Sequence, residues 1–315
     1  MKIIAGTTEF HIAEETACAI GKFDGIHVGH RKLLEQLFTQ KEAGLLTCVF
    51  TFDPNPATFF AGRVIPELTT REEKRLAFER MGVDILVEFP LNQATAAMPP
   101  ETFVSRVLRE NLNARFVAAG TDLSFGAGGA GDAALLKAMA PRLGMRFQVI
   151  EKVCVGTQEV SSSVIRKLVE AGEMRQAQEL LGMPYSVSGR VVHGRQLGRT
   201  LGFPTVNLLP DSCKLLPPNG VYFSKIRVGE KCYSGISNVG YKPTVTNERL
   251  RGLETYLYDF NRDVYGEEIT VYLCEFRRPE QKFESVEALR CQLEADIAAG
   301  RRLCTPKKSK KDIVT

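Results

Sequence analysis

Hydrophobic and polar residues follow a different pattern in each half of this chain. In the first half, short apolar runs alternate with segments whose apolar residues recur every three or four positions, which is typical of strands alternating with helices. Buried strands are predicted at residues 17–20, 45–52, 84–89, 115–120 and 146–150. Because helical segments separate these strands, we expect a mostly parallel sheet with helices on both faces.

The predicted helices of this half have recognisable ends. Residues 70–73 read Thr-Arg-Glu-Glu, a capping box that predicts a helix running toward Met81. Prolines begin a second helix at residues 99–108, and a third is predicted over residues 132–143. Ligands of parallel sheets bind beyond the carboxyl ends of the strands, so we expect the chemistry in the loops that follow them.

After about Gly182 the pattern becomes the polar–apolar alternation of antiparallel strands. Strands are predicted at residues 185–192, 220–228, 231–237, 254–260 and 268–274. A short turn at Gly229 joins the second and third of these as a hairpin, and one helix follows over residues 285–299. This half therefore predicts a small antiparallel β-barrel closed by a C-terminal helix.

Length and composition fit two globular domains. A chain of 315 residues can form two cores, and its 44% hydrophobic and 25% charged residues are ordinary for such a protein. We place the boundary at Met183, which gives an α/β domain over residues 1–182 and a β-barrel domain over residues 183–305.

Most of the net charge lies at the C-terminus. Residues 306–315 contribute +3 to the formal net charge of +4. The rest of the chain therefore lacks the excess of basic residues that nucleic-acid binding requires. This tail predicts a disordered end, with RNA contact as the alternative. No apolar run is long enough for a membrane span or a secretory signal. We expect a cytoplasmic protein with reduced cysteines and neither membrane nor nucleic-acid partners; weak self-association stays open.

The densest motif lies between the first strand and the first helix. Residues 21–30 read Gly-Lys-Phe-Asp-Gly-Ile-His-Val-Gly-His. Free N–H groups and the positive end of the helix dipole make an anion site there, and two imidazoles suit a polyphosphate whose charge shifts during a reaction. The alternative is a glycine turn with two exposed histidines. Candidate ATP-binding residues are Gly21, Phe23, Asp24, Gly25, His27, Gly29 and His30.

Three further loops follow strands of the first half. Asp53 and Asn55 stand in a Thr-Phe-Asp-Pro-Asn-Pro loop, where Asp53 either serves the site or caps a turn. Residues 120–132 form a glycine-rich loop that lets a ligand approach the backbone, although flexible loops look the same. Residues 161–166 open a helix with three serines and an arginine, which suit either phosphate binding or an ordinary helix cap.

A second glycine motif opens the β-rich half. Three glycines spaced four apart, with arginines between them, can wrap a phosphate chain: Gly194, Gly198, Arg199 and Gly202 carry this pattern. Thr205 and Asn207 alternate on an extended segment, so their oxygens share one face and suit Mg²⁺ bound to ATP. The alternative is a structural glycine loop with a polar strand end.

These motifs together resemble the prokaryotic bifunctional riboflavin kinase/FAD synthetase family. In the first half the likeness covers the core His-x-Gly-His, typical of nucleotidyltransferases, and the loops at residues 51–56, 120–126 and 161–166. In the second half it covers residues 203–207, 238–245, 254–260, 263–266 and 278–283. The sequence departs from the family at Asn55, where histidine is usual, at Ser163 (threonine) and at Tyr256 (histidine).

The resemblance implies a Rossmann-like nucleotidyltransferase domain with a parallel sheet and a riboflavin kinase-like barrel. In the first, His27 and His30 would steady the α-phosphate and the departing pyrophosphate. Contact with ATP is implied for Ser161, Ser162, Ser163 and Arg166. Flavin binding is assigned to Asp53, Asn55, Asp122, Phe125 and Arg278. In the barrel, Glu254 would be the general base that accepts the proton of the flavin hydroxyl.

The expected function is therefore flavin nucleotide synthesis. The barrel would convert riboflavin and ATP to FMN, and the α/β domain would convert FMN and ATP to FAD and pyrophosphate, with Mg²⁺ accompanying ATP. Asn55 raises the alternative of a kinase whose adenylyltransferase domain is weak or inactive. Two others remain: a flavin-binding regulator that contacts RNA, and a nucleotidyltransferase for another acceptor.

Overall fold

The computed structural model describes residues 1–194, 202–243 and 249–304. The chain forms two compact units, Met1–Ile165 and Arg166–Thr315. The division between these units lies before the boundary expected at Met183, and two helices occupy the stretch between the two positions. The domain limits inferred from the sequence stay a prediction, and each unit is described by itself.

The first unit is built on a sheet of six parallel strands in the order β1-β4-β3-β2-β5-β6. The predicted parallel α/β architecture is confirmed. Its strands are β1 (Lys2–Ala5), β2 (Thr16–Ile20), β3 (Leu46–Asp53), β4 (Ile85–Pro90), β5 (Ala114–Gly120) and β6 (Arg146–Ile150). A small hairpin of β7 (Cys154–Val155) and β8 (Gln158–Glu159) follows.

Six α-helices connect or flank these strands. They are α1 (Val28–Thr39), α2 (Pro56–Ala61), α3 (Arg71–Arg80), α4 (Gln93–Ala96), α5 (Pro100–Thr102) and α6 (Ala133–Met139). The capping box predicted at Thr70 is present, because its side chain accepts from Glu73 N and Glu73 accepts from Thr70 N. The helix predicted over residues 132–143 ends at Met139, since Pro141 begins a separate 3₁₀ turn.

The helix predicted over residues 99–108 takes two forms. The short helix α5 continues directly into a π-helix over Phe103–Asn111. The apolar spacing is compatible with both helix types, so the wider turn of the π-helix has no signal in the pattern. The buried face of the π-helix still includes Val104, Val107 and Leu108, as the spacing predicted.

The core of the first unit lies on both faces of the sheet. Along β2, Cys18 and Ile20 belong to one apolar cluster, whereas Ala17 and Ala19 belong to another. Successive strand residues point to opposite faces, and here both faces are covered. This double burial explains why the strands are continuous apolar runs, and it leaves the strand ends as the polar edge where a site can form.

The second unit is a closed barrel of six strands in the order β10-β13-β12-β11-β14-β9. Two helices precede the barrel, α7 (Ser162–Ala171), which begins in the first unit, and α8 (Met174–Leu181). The strands are β9 (Tyr185–Val192), β10 (Thr205–Leu208), β11 (Gly220–Val228), β12 (Lys231–Pro243), β13 (Arg249–Leu257) and β14 (Glu268–Pro279). All neighbouring strands are antiparallel, which confirms the predicted barrel.

The predicted C-terminal helix is α9 (Val286–Cys304), which packs on the outside of the barrel. Val221, Phe223 and Ile236 form an apolar cluster on this outer face, and Ile297 of α9 packs against it. The fully buried carboxylate of Asp296 accepts hydrogen bonds from Arg277, Arg278 and Gln292. Apolar packing and a buried ionic contact thus fix α9 to the strands.

Candidate functional sites

The two histidines of the first motif stack at the start of α1. Their ring centroids lie 3.7 Å apart with an interplanar angle of 15°. His27 is the N-cap of α1, and its Nδ1 accepts a hydrogen bond from the backbone N–H of His30 at 3.3 Å. With Nδ1 acting as acceptor, the neutral His27 carries its proton on Nε2. The alternative of two exposed histidines is wrong, since only 8% of His27 is exposed.

The loop before α1 is held in a left-handed backbone conformation. Phe23, Gly25 and Ile26 have φ values of 50°, 92° and 43°. The buried carboxylate of Asp24 holds the loop by accepting the N–H groups of Leu68 at 2.7 Å and Thr69 at 3.1 Å. The Asp24 side chain therefore shapes the site, and a ligand would meet the backbone of this loop.

Burial keeps both imidazoles neutral. Burial lowers the pKa of His27 from 6.5 to about 4, and the nearby negative charge of Asp122 opposes this shift only in part. Burial also lowers the pKa of His30 well below its usual value, and the positive charge of Lys74 lowers it further. Nδ1 of His30 is buried without a hydrogen-bond partner among the described residues. A buried polar atom without a partner and a strongly shifted pKa both cost folding free energy, and both are typical of functional sites.

The flavin-binding candidates of the first unit fall in different environments. Asp122 is exposed at the end of β5, close enough to His27 to influence its pKa. Phe125 instead lies in the core, 4% exposed, with its ring 5.3 Å from that of Phe103. Asn55 caps α2 through a 3.0 Å hydrogen bond from Ala57 N. Asp53 forms a 3.0 Å ion pair with Arg71.

An ionic network that the sequence did not reveal surrounds Asp53. The buried carboxylate of Glu88, at the end of β4, accepts from Nε of Arg71 at 2.9 Å and from Nε of Arg75 at 2.8 Å. Nearby, Lys74 pairs with Glu67 at 2.7 Å, and both line the same small polar pocket as Asp53. Arg71 and Arg75 lie four residues apart on α3, so the sequence places them on one face of the helix. No local pattern indicates that this face contacts Glu88 on β4.

The serines of the third loop begin helix α7. Ser162 donates a hydrogen bond of 2.7 Å to the backbone oxygen of Asp24, which ties this helix start to the histidine loop. Ser161 accepts from Val164 N at 3.4 Å, the contact of a helix cap, while Ser163 is exposed. Arg166 lies further along α7, in the second unit.

In the barrel, Thr205, Asn207 and Glu254 come together on two neighbouring strands. Thr205 donates a hydrogen bond of 2.7 Å to Oε1 of Glu254, and Asn207 is the register partner of Glu254. The Asn207 amide packs against the backbone at Gly194, where a Cβ would displace it. Of the other glycine-motif candidates, Gly202 is exposed and has a φ of 86°. Gly198 and Arg199 lie outside the residues that the structure describes.

A cavity of about 640 Å³ adjoins Glu254. Its walls come from the outer face of β11, β12 and β13 and from α9, and its apolar lining includes Val221, Ile236, Phe283, Leu289, Leu293 and Ile297. Arg278 also lines it, held by Asp296 at 2.8 Å and lying over the Phe283 ring. The sequence predicted Arg278 but missed the lining residues Asn238 and Glu280 and the role of α9 as a wall.

Two kinds of site are absent from the described part of the chain. It contains no group of three or more His, Cys, Asp or Glu side chains placed to hold a metal ion. Within the same residues, no helix has the length and apolar character needed to cross a membrane.

Comparison with known proteins gives matches to both units. A model of the FAD synthetase family matches residues 9–164, and a model of the riboflavin kinase family matches residues 181–304. A bifunctional riboflavin kinase/FMN adenylyltransferase of Listeria monocytogenes is 37% identical over 285 residues, which is 88% of this chain and 89% of that protein. The protein of the same name from Escherichia coli is 36% identical over 306 residues, 96% and 97% of the two chains.

A crystal structure from Streptococcus pneumoniae, described as that of a macrolide-efflux protein, matches this fold with a TM-score of 0.82 and 29% identity. It covers 95% of this chain and 98% of that one, so the likeness extends over both units. Matches to both family models do not favour the alternative of a kinase whose adenylyltransferase domain is weak or inactive. The chain belongs to the family of bifunctional riboflavin kinase/FMN adenylyltransferases.

Proposed function

We propose that the two units catalyse consecutive steps of flavin nucleotide synthesis through the residues described above. In the barrel, riboflavin and ATP give FMN and ADP; in the α/β unit, FMN and a second ATP give FAD and pyrophosphate. The observation that carries this assignment is the presence of two separate sites with different chemistry. One centres on a carboxylate beside a large apolar cavity, and the other on two neutral histidines at a helix start.

In the kinase step, Glu254 accepts the proton of the terminal ribityl hydroxyl as that oxygen attacks the γ-phosphorus of ATP. The new P–O bond forms as the bond to the β-phosphate oxygen breaks, and ADP leaves. Thr205 orients the carboxylate through its 2.7 Å hydrogen bond. The apolar cavity beside Glu254 has room for the isoalloxazine ring, so binding brings the hydroxyl to the base.

The residues around Glu254 fit a magnesium ion carried in with ATP. Thr205 turns its proton toward Glu254, which leaves the hydroxyl oxygen able to coordinate a cation, and Asn207 supplies an amide oxygen on the same strand. Bound there, Mg²⁺ would neutralise charge on the transferred phosphoryl group. The metal would be shared with the nucleotide rather than caged by protein carboxylates.

In the adenylyl step, an FMN phosphate oxygen attacks the α-phosphorus of ATP, and the bond to the pyrophosphate oxygen breaks. His27 and His30, neutral before binding, donate hydrogen bonds to the phosphate oxygens at the positive end of α1. Asp122, Asp53 and Asn55 are assigned to the flavin nucleotide, and Ser161, Ser162, Ser163 and Arg166 to ATP. Neither step forms a covalent bond to the protein.

Variants that remove one activity at a time test this assignment. The purified protein is supplied with riboflavin, ATP and Mg²⁺, and FMN and FAD are separated by chromatography. Glu254→Gln should reduce FMN formation by roughly 100-fold or more while FMN added directly is still converted to FAD. The pair His27→Asn and His30→Asn should have the opposite effect, because asparagine can cap α1 but has no ring N–H to donate to the phosphate oxygens.

Two outcomes would overturn the assignment. If the wild-type protein forms FMN but no FAD, the first unit is not an adenylyltransferase; if Glu254→Gln forms FMN normally, that carboxylate is not the base.

We expect the protein to act in the cytoplasm, where the seven cysteines described as free thiols would stay reduced.

A further inference from the structure

The cavity beside Glu254 has a continuous polar strip along one wall. Glu254 on β13 faces Asn238 on β12 as its register partner, and Asn238 Nδ2 donates to Oε1 of Glu280 at 3.2 Å. All three residues line the cavity, and with Thr205, which bonds Glu254, they form what we call the polar strip. Facing residues of antiparallel strands lie about 5 Å apart, so the strip is several carbon–carbon bonds long.

The end of the strip at Glu280 is held in place by a second set of contacts. Oε2 of Glu280 accepts from Asn219 Nδ2 at 3.3 Å, and Asn219 in turn accepts from Arg251 Nε at 3.0 Å. A Cβ at Gly240 would collide with Glu280, so the carboxylate rests directly on the backbone of β12. Because two amides fix this carboxylate, its remaining lone pairs have a defined direction.

The kinase substrate must follow this strip. Its reacting hydroxyl has to reach Glu254, while its flat ring system requires the apolar part of the cavity, formed by Val221, Ile236 and the α9 side chains. The chain that joins these two parts carries three further hydroxyl groups. Burying them against apolar walls would cost free energy unless each finds a hydrogen-bond partner.

We propose that Asn238 and Glu280 recognise the secondary hydroxyl groups of the ribityl chain and make the kinase specific for a polyol side chain. The Glu280 carboxylate accepts hydrogen bonds from hydroxyl groups, and the Asn238 amide both donates and accepts. Neither residue takes part in proton transfer. This inference rests on the proposed kinase activity and adds a source of substrate specificity to it.

The test compares two flavins in the kinase reaction of the full-length protein. One is riboflavin, and the other carries a hydroxypentyl chain with only the terminal hydroxyl. Glu280→Gln should lower kcat/KM for riboflavin by roughly 10- to 100-fold, the value of a charge-assisted hydrogen bond, and Asn238→Ala by roughly 3- to 10-fold, the value of a neutral one. Both variants should keep kcat/KM for the hydroxypentyl flavin within about twofold. Leu293→Ala, on the apolar wall, is the control and should impair both flavins equally.

Retained phosphorylation of the hydroxypentyl flavin shows that the barrel of each variant is folded. Conversion of added FMN to FAD, which the first unit carries out, should be unchanged. An equal loss for both flavins in Glu280→Gln and Asn238→Ala, or no loss for either, would overturn the inference. Failure of the proposed function is a separate result, because in that case the wild-type protein would phosphorylate neither flavin.

Discussion

His27 combines a structural and a chemical task in one side chain. It caps α1 through Nδ1 and presents Nε2 to the anion site, and this is possible because burial holds its pKa at about 4. The sequence revealed the histidines, their spacing and the helix start. It could not reveal the depressed pKa of His27, since burial of the ring depends on how distant parts of the chain pack around it.

The pKa of His27 predicts how stability depends on pH. Between pH 6.5 and 4 the unfolded chain binds a proton at this histidine and the folded chain does not, so stability falls as the pH falls. The shift corresponds to about 3 kcal/mol. His27→Asn keeps a capping side chain, so its unfolding free energy should depend less on pH by about this amount.

Hydrogen exchange of the β2 amides in denaturant, measured across this pH range, follows the first unit alone. Asparagine at position 27 can still cap α1, so wild-type protein and His27→Asn are matched in local structure. Identical pH profiles for wild-type protein and His27→Asn would contradict the assignment of a buried, neutral imidazole.

Among the secondary-structure elements, the sequence predicted those whose signals are local. The buried strands β2 to β6, the Thr70 capping box and the hairpin of β11 and β12 all follow from patterns within a few residues. The prediction omitted β1 and α8, and also the short elements α2, α4, β7 and β8. It also ended β14 at Cys274, although the strand continues to Pro279 through the register shifts of its pairing with β11.

Elements of the site that depend on distant contacts were missed for the same reason. Glu88 meets Arg71 and Arg75 only because β4 and α3 pack together, and Arg278 meets Asp296 only when α9 docks on the barrel. Neither pair has a local sequence signal. The chemistry-bearing motifs were thus predictable, but the side chains that position them were not.

Helix α9 depends on one buried carboxylate. Asp296 is fully buried and pairs with Arg277 and Arg278, so Asp296→Asn should destabilise the second unit by about 3 kcal/mol and speed amide exchange in α9. Glu294→Gln is the matched control. Its exposed ion pair with Arg290 should contribute less than about 0.5 kcal/mol. Equal effects of the two substitutions on denaturant unfolding would contradict the anchoring role of Asp296.

At the scale of the whole molecule, the catalytic groups of the two steps lie on separate units. Each site draws its named catalytic groups from one unit: His27 and His30 from the first, Glu254 from the second. The sequence predicted this division because each half carries its own motif. FMN is the product of one site and the substrate of the other.

This division predicts complementation between inactive proteins. Glu254→Gln alone should make no FAD from riboflavin, and the His27→Asn, His30→Asn protein should stop at FMN. An equimolar mixture should make FAD, because FMN released by one protein reaches the intact site of the other. A mixture that accumulates FMN without FAD, while added FMN is still adenylylated by Glu254→Gln, would contradict free exchange of FMN between molecules.

The position of a phosphorus label in ATP distinguishes the two transfer reactions. Riboflavin is incubated with the wild-type protein and ATP labelled at the α-, β- or γ-phosphorus, and the flavins are separated. The account predicts that γ-label enters FMN and, through it, FAD, that α-label enters FAD alone, and that β-label enters neither. Label from the α-phosphorus in FMN, or FAD without α-label, would contradict a γ-phosphoryl transfer followed by an adenylyl transfer.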